Sequence, residues 1–207
     1  WINGVRDGRS YCGDGRSHVM DFRVEGVSVG EPGSGGVISQ LDLDRPDEVT
    51  IKFDVAAWLE PKPTEATQAI RGRRLDQKPY WHIERGRIGE TRRVPVELVV
   101  NGYPVARKKG KADGKTRSMK FDVDIKHSSW IAVRIFPSVH TNPVFVRVDK
   151  KPIRASRRSA TWCRQAVDVC WNQKKGRIRD DDQAAAKAAY DKARAIYEAI
   201  IDQSVAD

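Results

Sequence analysis

Long apolar runs are missing from this chain. No stretch approaches the ~20 apolar residues that a helix needs to cross a bilayer. Mean hydropathy is −0.61, so the expected protein is soluble and has no membrane span. Cysteine is scarce, three in 207 residues. Cys163 and Cys170 fall on a predicted helix about two turns, or roughly 10 Å, apart, too far for a disulfide. Small buried hydrophobes are the favoured reading, and cysteine usage leaves the compartment unassigned. The histidines, His18, His82, His127 and His140, form no HxH, HExxH or HxxxH arrangement. With CxxC also missing, no metal site is legible locally. There is no G-x-S-x-G elbow and no P-loop, so no nucleophile is identified. The chain opens Trp1-Ile2-Asn3-Gly4, without an initiator Met, a basic n-region or an apolar h-region. It is therefore expected to be a fragment of something longer, with no signal peptide legible.

What is present is charge and a core. The net charge is +10, with 39% hydrophobic and 32% charged residues, and the pI is about 9.7. That composition supports one sizeable domain or two small ones. A basic surface attracts polyanions in general. The basic groups are scattered, however, over Arg71–Arg74, Arg92-Arg93, Lys108–Lys111, Lys150-Lys151, Arg157-Arg158 and Lys174–Arg179, most with acids close by. No aromatic nucleic-acid box, zinc-finger spacing or recognition helix accompanies them. The expected role of the charge is a solvated surface, and nucleic acid is not the expected partner.

The strongest β signal runs from Trp130 to Phe136 and from Val144 to Val148, dense in β-branched and aromatic residues and joined by a polar loop with Pro137 and Asn142-Pro143. The first strand is apolar on both parities, which predicts the middle of a sheet with cover on each side. Upstream, Val19–Val24, Val37–Leu43, Val49–Val55 extended by Ala56–Leu59, Tyr80–Ile83 and Thr91–Val100 are predicted strands. Asn101-Gly102 predicts a type I′ hairpin returning over Tyr103–Arg107. Lys108–Lys115 is then a basic tip, and Met119, Phe121, Val123 and Ile125 alternate with polar residues as a half-buried strand. Between Pro61 and Lys78 lies an insertion with a short helix, Thr64–Ile70, capped by Thr64; insertions of that length often serve function or an interface. About eight strands with a hairpin rhythm predict an immunoglobulin-like sandwich.

After Pro152 the period changes to about 3.6. Ser159 is the predicted cap of a helix over Ala160–Gln173, and a second helix is predicted over Asp181–Gln203, its triple Asp at the positive end. An antiparallel helical hairpin packing on the sandwich is expected, with a dimer face on the amphipathic tail as the alternative. The fold class is thus mainly β: an immunoglobulin-like β-sandwich followed by a C-terminal α-helical hairpin.

Two sequence stretches carry a resemblance. Trp130, Ala132 and Arg134, followed by His140-Thr141-Asn142-Pro143-Val144-Phe145-Val146, resemble the A-H-T-[SN]-P-[IV]-[YF]-V run that closes the C-terminal β-domain of the CehA/McbA group of PHP-domain metallohydrolases. Val5-Arg6, Gly8-Arg9-Ser10-Tyr11 and Asp14-Gly15 resemble the L-R-x-G-R-[ST]-[FY]-V-[ST]-[DN]-G pattern that ends the catalytic domain there, with Cys12 and Gly13 as departures. The resemblance covers roughly residues 1–148 and is nearest the long bacterial members with a helical tail. It implies that residues 1–10 are the tail end of an upstream PHP-like domain; with the strand and helix patterns above, the expected division is 11–152 for the sandwich and 153–207 for a two-helix extension. It also implies that the catalytic divalent metal, of the zinc or manganese type, and its ligands lie before Trp1. No catalytic residue carries over, and no cofactor is expected in this segment.

The candidate ligand or interdomain residues are His140, Thr141 and Asn142, with His18, Asp14 and Arg16 as the second group. The polar trio at the sheet's end can hydrogen-bond a ligand; the favoured reading is that Thr141 and Asn142 satisfy loop backbone groups while His140 packs in the junction. His18 falls just after the presumed domain junction, within conceivable reach of an upstream active site. The strand pairs Asp42/Asp44 and Asp122/Asp124 can hold calcium or simply solubilise a face. The expected role is an accessory region that buttresses the upstream domain or mediates homo-oligomer formation through the C-terminal helices. The rival is an independent binding module for carbohydrate or another polyanion.

Overall fold

The computed structural model describes residues 1–205 and divides into two compact units, Trp1–Lys151 and Pro152–Asp207. The first begins with a short helix, α1 (Ile2–Arg6), and continues through β1 (Tyr11–Gly13), β2 (Ser17–Val24), β3 (Val27–Ser28), β4 (Gln40–Leu43) and β5 (Asp47–Ala57). Helix α2 (Glu65–Arg71) follows, then β6 (Arg93–Val100), β7 (Tyr103–Lys111), β8 (Arg117–Ile125), β9 (Ser129–Ile135), β10 (Val139–Thr141) and β11 (Val144–Val148).

These strands form a seven-stranded and a four-stranded sheet. The small sheet runs β3-β2-β5-β8, antiparallel throughout. In the large sheet β9 is central: β6 pairs with one edge, and the other edge is shared by β11 along its first half and β10 along its second. β1 extends the β10 branch and β4 joins the β11 branch, in parallel. One hydrophobic cluster joins the inward residues of both sheets: Phe22, Ile51, Phe53 and Phe121 from the small one, and Leu98, Ile131, Val133, Ile135 and Val146 from the large one. Alternation makes this core. In β5, Val49, Ile51, Phe53 and Val55 are buried, while Lys52 between them is exposed and Thr50 and Asp54 are only partly buried. Burying a side chain of this kind contributes about 1.5–3 kcal/mol.

The predicted sheet-centre position of Trp130–Phe136 is met by β9, and Asn101 and Gly102 make the hairpin turn with φ of 52° and 93°. Thr64 caps α2, accepting from Thr67 N at 3.3 Å. Several expectations are corrected. The loop after Phe136 contains a strand, β10, because its backbone completes the second half of β9's free edge. Tyr80–Ile83 is not a strand: Tyr80 and Trp81 are exposed in turns, and Ile83–Gly86 forms a 3-10 turn. What holds that segment is the buried pair Glu84–Arg87, with side chains only 1% and 0% exposed. Arg87 also donates to Glu60 O at 2.9 Å and Thr91 O at 3.1 Å, tying the insertion to the sheet. The strand expected from Val37 begins only at Gln40, after a 3-10 turn at Ser34–Gly36. The expected basic tip is strand as far as Lys111, and the exposed Lys108 lies over the sheet edge with its Nζ 5.0 Å from the Phe121 ring centre.

The second unit holds α3 (Arg157–Lys174) and α4 (Gln183–Gln203). The cap of α3 is Ser156 rather than Ser159: its hydroxyl accepts from Ser159 N at 3.0 Å. Asp180–Asp182 forms a separate 3-10 turn before α4. The helices are joined by Arg164 to Glu198 (3.0 Å) and Arg194 to Asp168 (2.7 Å), by the Trp171–Tyr190 ring pair (5.0 Å), and by Cys170 Sγ to the Tyr190 hydroxyl (3.2 Å).

Candidate functional site

The outer face of the large sheet carries the candidate site, and strand parity explains how. Ile131, Val133 and Ile135 point into the core, so Trp130, Ala132 and Arg134 stand on the opposite face. The large–small–large sequence of these three leaves a notch over Ala132. A groove of about 510 Å³ follows it, floored by Val99 and Ala132 and walled by Trp130, Phe145, Phe136 and His140. Phe145 is the cross-strand partner of Trp130.

Across the groove's polar end runs one row of cross-strand partners: Cys12, His140, Arg134, Glu97 and Arg107. Glu97 is nearly buried, its side chain 5% exposed, and lies between two arginines. Arg134 Nε donates to Glu97 Oε2 at 2.7 Å, and Arg107 Nε donates to Oε1 at 3.0 Å. Burial acts to raise the Glu97 pKa, but the hydrogen bonds from Arg134 and Arg107 outweigh it and the carboxyl titrates below its ordinary value. Arg134 also lies over the Phe136 ring, 5.2 Å from its centre.

The sequence-predicted trio reaches this place but divides in role. Thr141 Oγ1 accepts from Val133 N at 3.1 Å, serving the backbone group of β9 that falls between its two edge partners. Asn142 Nδ2 donates to Gly8 O at 2.9 Å and to Ser10 Oγ at 3.0 Å. Both side chains therefore satisfy local chain groups, as the plainer sequence reading allowed. His140 is exposed, its Nδ1 3.2 Å from Thr141 O. A carbonyl only accepts, so Nδ1 carries the proton and Nε2 is left for solvent or a ligand.

Asp14, Arg16 and His18 do not join them. Asp14 accepts from Arg16 N at 2.9 Å and Ile83 N at 2.8 Å, closing a turn and anchoring the 3-10 segment. Arg16 lies 5.4 Å from the Trp58 ring centre, with Arg92 at 5.8 Å from the same ring. His18 Nδ1 meets the Tyr11 hydroxyl at 2.7 Å. Near this turn His82 has its pKa lowered, by burial first and the Arg16 charge second, against Asp14 and Glu84. Its Nδ1 accepts from Glu84 N at 3.1 Å, so it caps the turn. Among the described residues no three His, Cys, Asp or Glu side chains group as metal ligands. Thr50 and Ser118 hydroxyls bond the strand carboxylates Asp122 (2.8 Å) and Asp54 (2.6 Å) on the outer face of the small sheet.

Sequence reasoning missed Glu97, Arg134 and Arg107 as a group. The signal was partly present: alternate positions of a central strand reading Trp-x-Ala-x-Arg place a cation and an aromatic on either side of a gap. Glu97 and Arg107 needed the register. No known protein family and no curated protein matches this chain.

Proposed function

We propose that this chain is a non-catalytic accessory region of a PHP-type metal-dependent hydrolase, an immunoglobulin-like sandwich with a helical extension that supports the catalytic domain. The observation that carries the reading is a clasp. The two stretches that bear the resemblance lie at opposite ends of the first unit and meet in space. Tyr11 and Cys12 pair with Thr141 and His140, and Asn142 holds Gly8 and Ser10. A clasp of this kind fixes the direction in which α1 leaves the sandwich. On α1, Ile2 and Val5 are 74% and 55% exposed, beside the exposed Trp1 that precedes it, an apolar surface that a docked catalytic domain would cover. Placement of β1 in one sheet and β2 in the facing one supports the immunoglobulin-like assignment. The exposed Trp162, Val169 and Ile196 of the helical pair support its use in assembly.

Metal bound upstream would supply the hydrolytic water, and this chain would contribute orientation. The test is elemental analysis of the purified 207-residue chain after exhaustive dialysis, with hydrolysis of nitrophenyl phosphate and nitrophenyl acetate measured in parallel. Substoichiometric metal and no turnover are expected. One firmly held zinc or manganese per chain, with turnover, would overturn the proposal. A salt-sensitive affinity for heparin would instead favour the rival module for polyanions.

A further inference from the structure

We infer that the groove on the outer face of the large sheet is a binding site for a small aryl carboxylate, a flat apolar ring system carrying one anionic group. The inference goes beyond the accessory role and does not depend on it.

Shape comes first. The groove's volume of about 510 Å³ lies within the range of small-molecule pockets. Its floor is set by the methyl of Ala132, between two long neighbours on the same strand face. Trp130 and Phe145 present aromatic surface to whatever lies on that floor, and Phe145 is 41% exposed. Aromatic walls favour a ring in offset or edge contact.

Charge comes second. The polar groups gather at one end, where Arg134 and His140 are cross-strand neighbours. Arg134 is held in place by Glu97 through Nε and by contact with Phe136. Its two Nη groups make no hydrogen bond among the described residues. Glu97 also holds Arg107, so two guanidinium groups face one carboxylate and one positive charge is in excess. A guanidinium fixed on one edge and open on the other suits a carboxylate, which it can bind through two parallel hydrogen bonds.

The same features argue against the other ligand classes. A saccharide would lay hydroxyls against Val99, Ala132 and the Phe145 ring, whose side chains offer them no hydrogen bond. A polyanion needs a track of cations, and the groove offers one guanidinium with a histidine beside it.

Heteronuclear NMR titration of the whole chain tests the inference, with naphthoate as probe, naphthalenemethanol as its uncharged counterpart and an N-acetylglucosamine trimer as the saccharide. Naphthoate is expected to give saturable shifts at the amides of Val99, Ala132, Arg134, His140 and Phe145. The alcohol should bind about tenfold more weakly or worse, the difference expected for one charged hydrogen-bonded pair. Arg134→Gln should remove the preference for the acid, and Ala132→Leu should abolish binding of both by filling the notch. Because Arg134→Gln takes a partner from nearly buried Glu97, the double variant Arg134→Gln/Glu97→Gln keeps the test available if the single one fails to fold. Ala132→Leu leaves every ion pair intact. No saturable shift at these amides would overturn the inference; so would equal affinity for acid and alcohol, or saturable binding of the trimer in the groove.

Discussion

At the scale of single residues, polar groups do the most specific work in this protein. Arg87 is fully buried and meets Glu84 at both carboxylate oxygens and two backbone carbonyls. Removing one partner of such a pair leaves an uncompensated buried charge, at a cost of about 3–5 kcal/mol. Arg87→Ala is accordingly expected to lower stability by that amount in urea unfolding; a loss under about 1 kcal/mol would show that water reaches Glu84. Glu97 makes a second prediction, in pH. Its folded pKa lies below its unfolded one, so its stabilising effect is present above the ordinary glutamate value of about 4.3. That effect is lost as pH falls through the folded value. Asp113, hydrogen-bonded by Arg117 and Lys111, is held well below the usual carboxylate range, and Asp122 is lowered through Thr50 and Lys120; both act in the same direction. The melting temperature should therefore decline as pH drops below about 4. Glu97→Gln should flatten that decline while lowering the melting temperature at neutral pH.

At the scale of elements, the hairpin between β6 and β7 and the branching of β9 organise the large sheet. Gly102 sits at φ 93° and Asn101 at φ 52°, as a type I′ turn requires. Asn101 also reaches β9: its Oδ1 accepts from Trp130 N at 3.0 Å and its Nδ2 donates to Ser129 Oγ at 3.0 Å. The turn residue thus sets hairpin twist and fixes the hairpin to the central strand. A Cβ on Gly102 would meet only Trp130, at 3.8 Å, so Gly102→Ala isolates the backbone cost. It should destabilise by about 1–2 kcal/mol, read as a fall in the urea midpoint with the slope unchanged.

At the scale of the whole molecule, the two units differ in what they bury. The first has a continuous core contributed by both sheets. In the second, Ala160 and Ser204 are the buried residues among those described. A two-helix segment that buries so little has little packing to offset its ordering cost. Residues 1–151 produced alone should keep a β circular-dichroism spectrum and a cooperative melt. Residues 152–207 alone should lose most of their helicity at micromolar concentration. Helicity that is full and independent of concentration in that peptide would contradict this; helicity that grows with concentration would point to self-association through the face of Trp162 and Val169.

The sequence by itself determined the strong periodic elements: the alternation of β5 and β8, the Asn-Gly turn, the Thr64 cap, the central place of Trp130–Phe136 and the change to helical spacing after Pro152. Each is encoded within a few neighbouring residues, by side-chain period or by a φ that few residues tolerate. Tertiary structure alone decided that β10 exists, that Tyr80–Ile83 is not a strand, that Gly8 and Ser10 hang on Asn142, and that Glu97 lies between Arg134 and Arg107. These depend on which strand edges remain free and on the register between segments distant in the chain, quantities no local pattern contains. The groove over Ala132 belongs to both kinds. Its alternating Trp130, Ala132 and Arg134 are legible in one strand, but only the pairing of three others with that strand makes them a site.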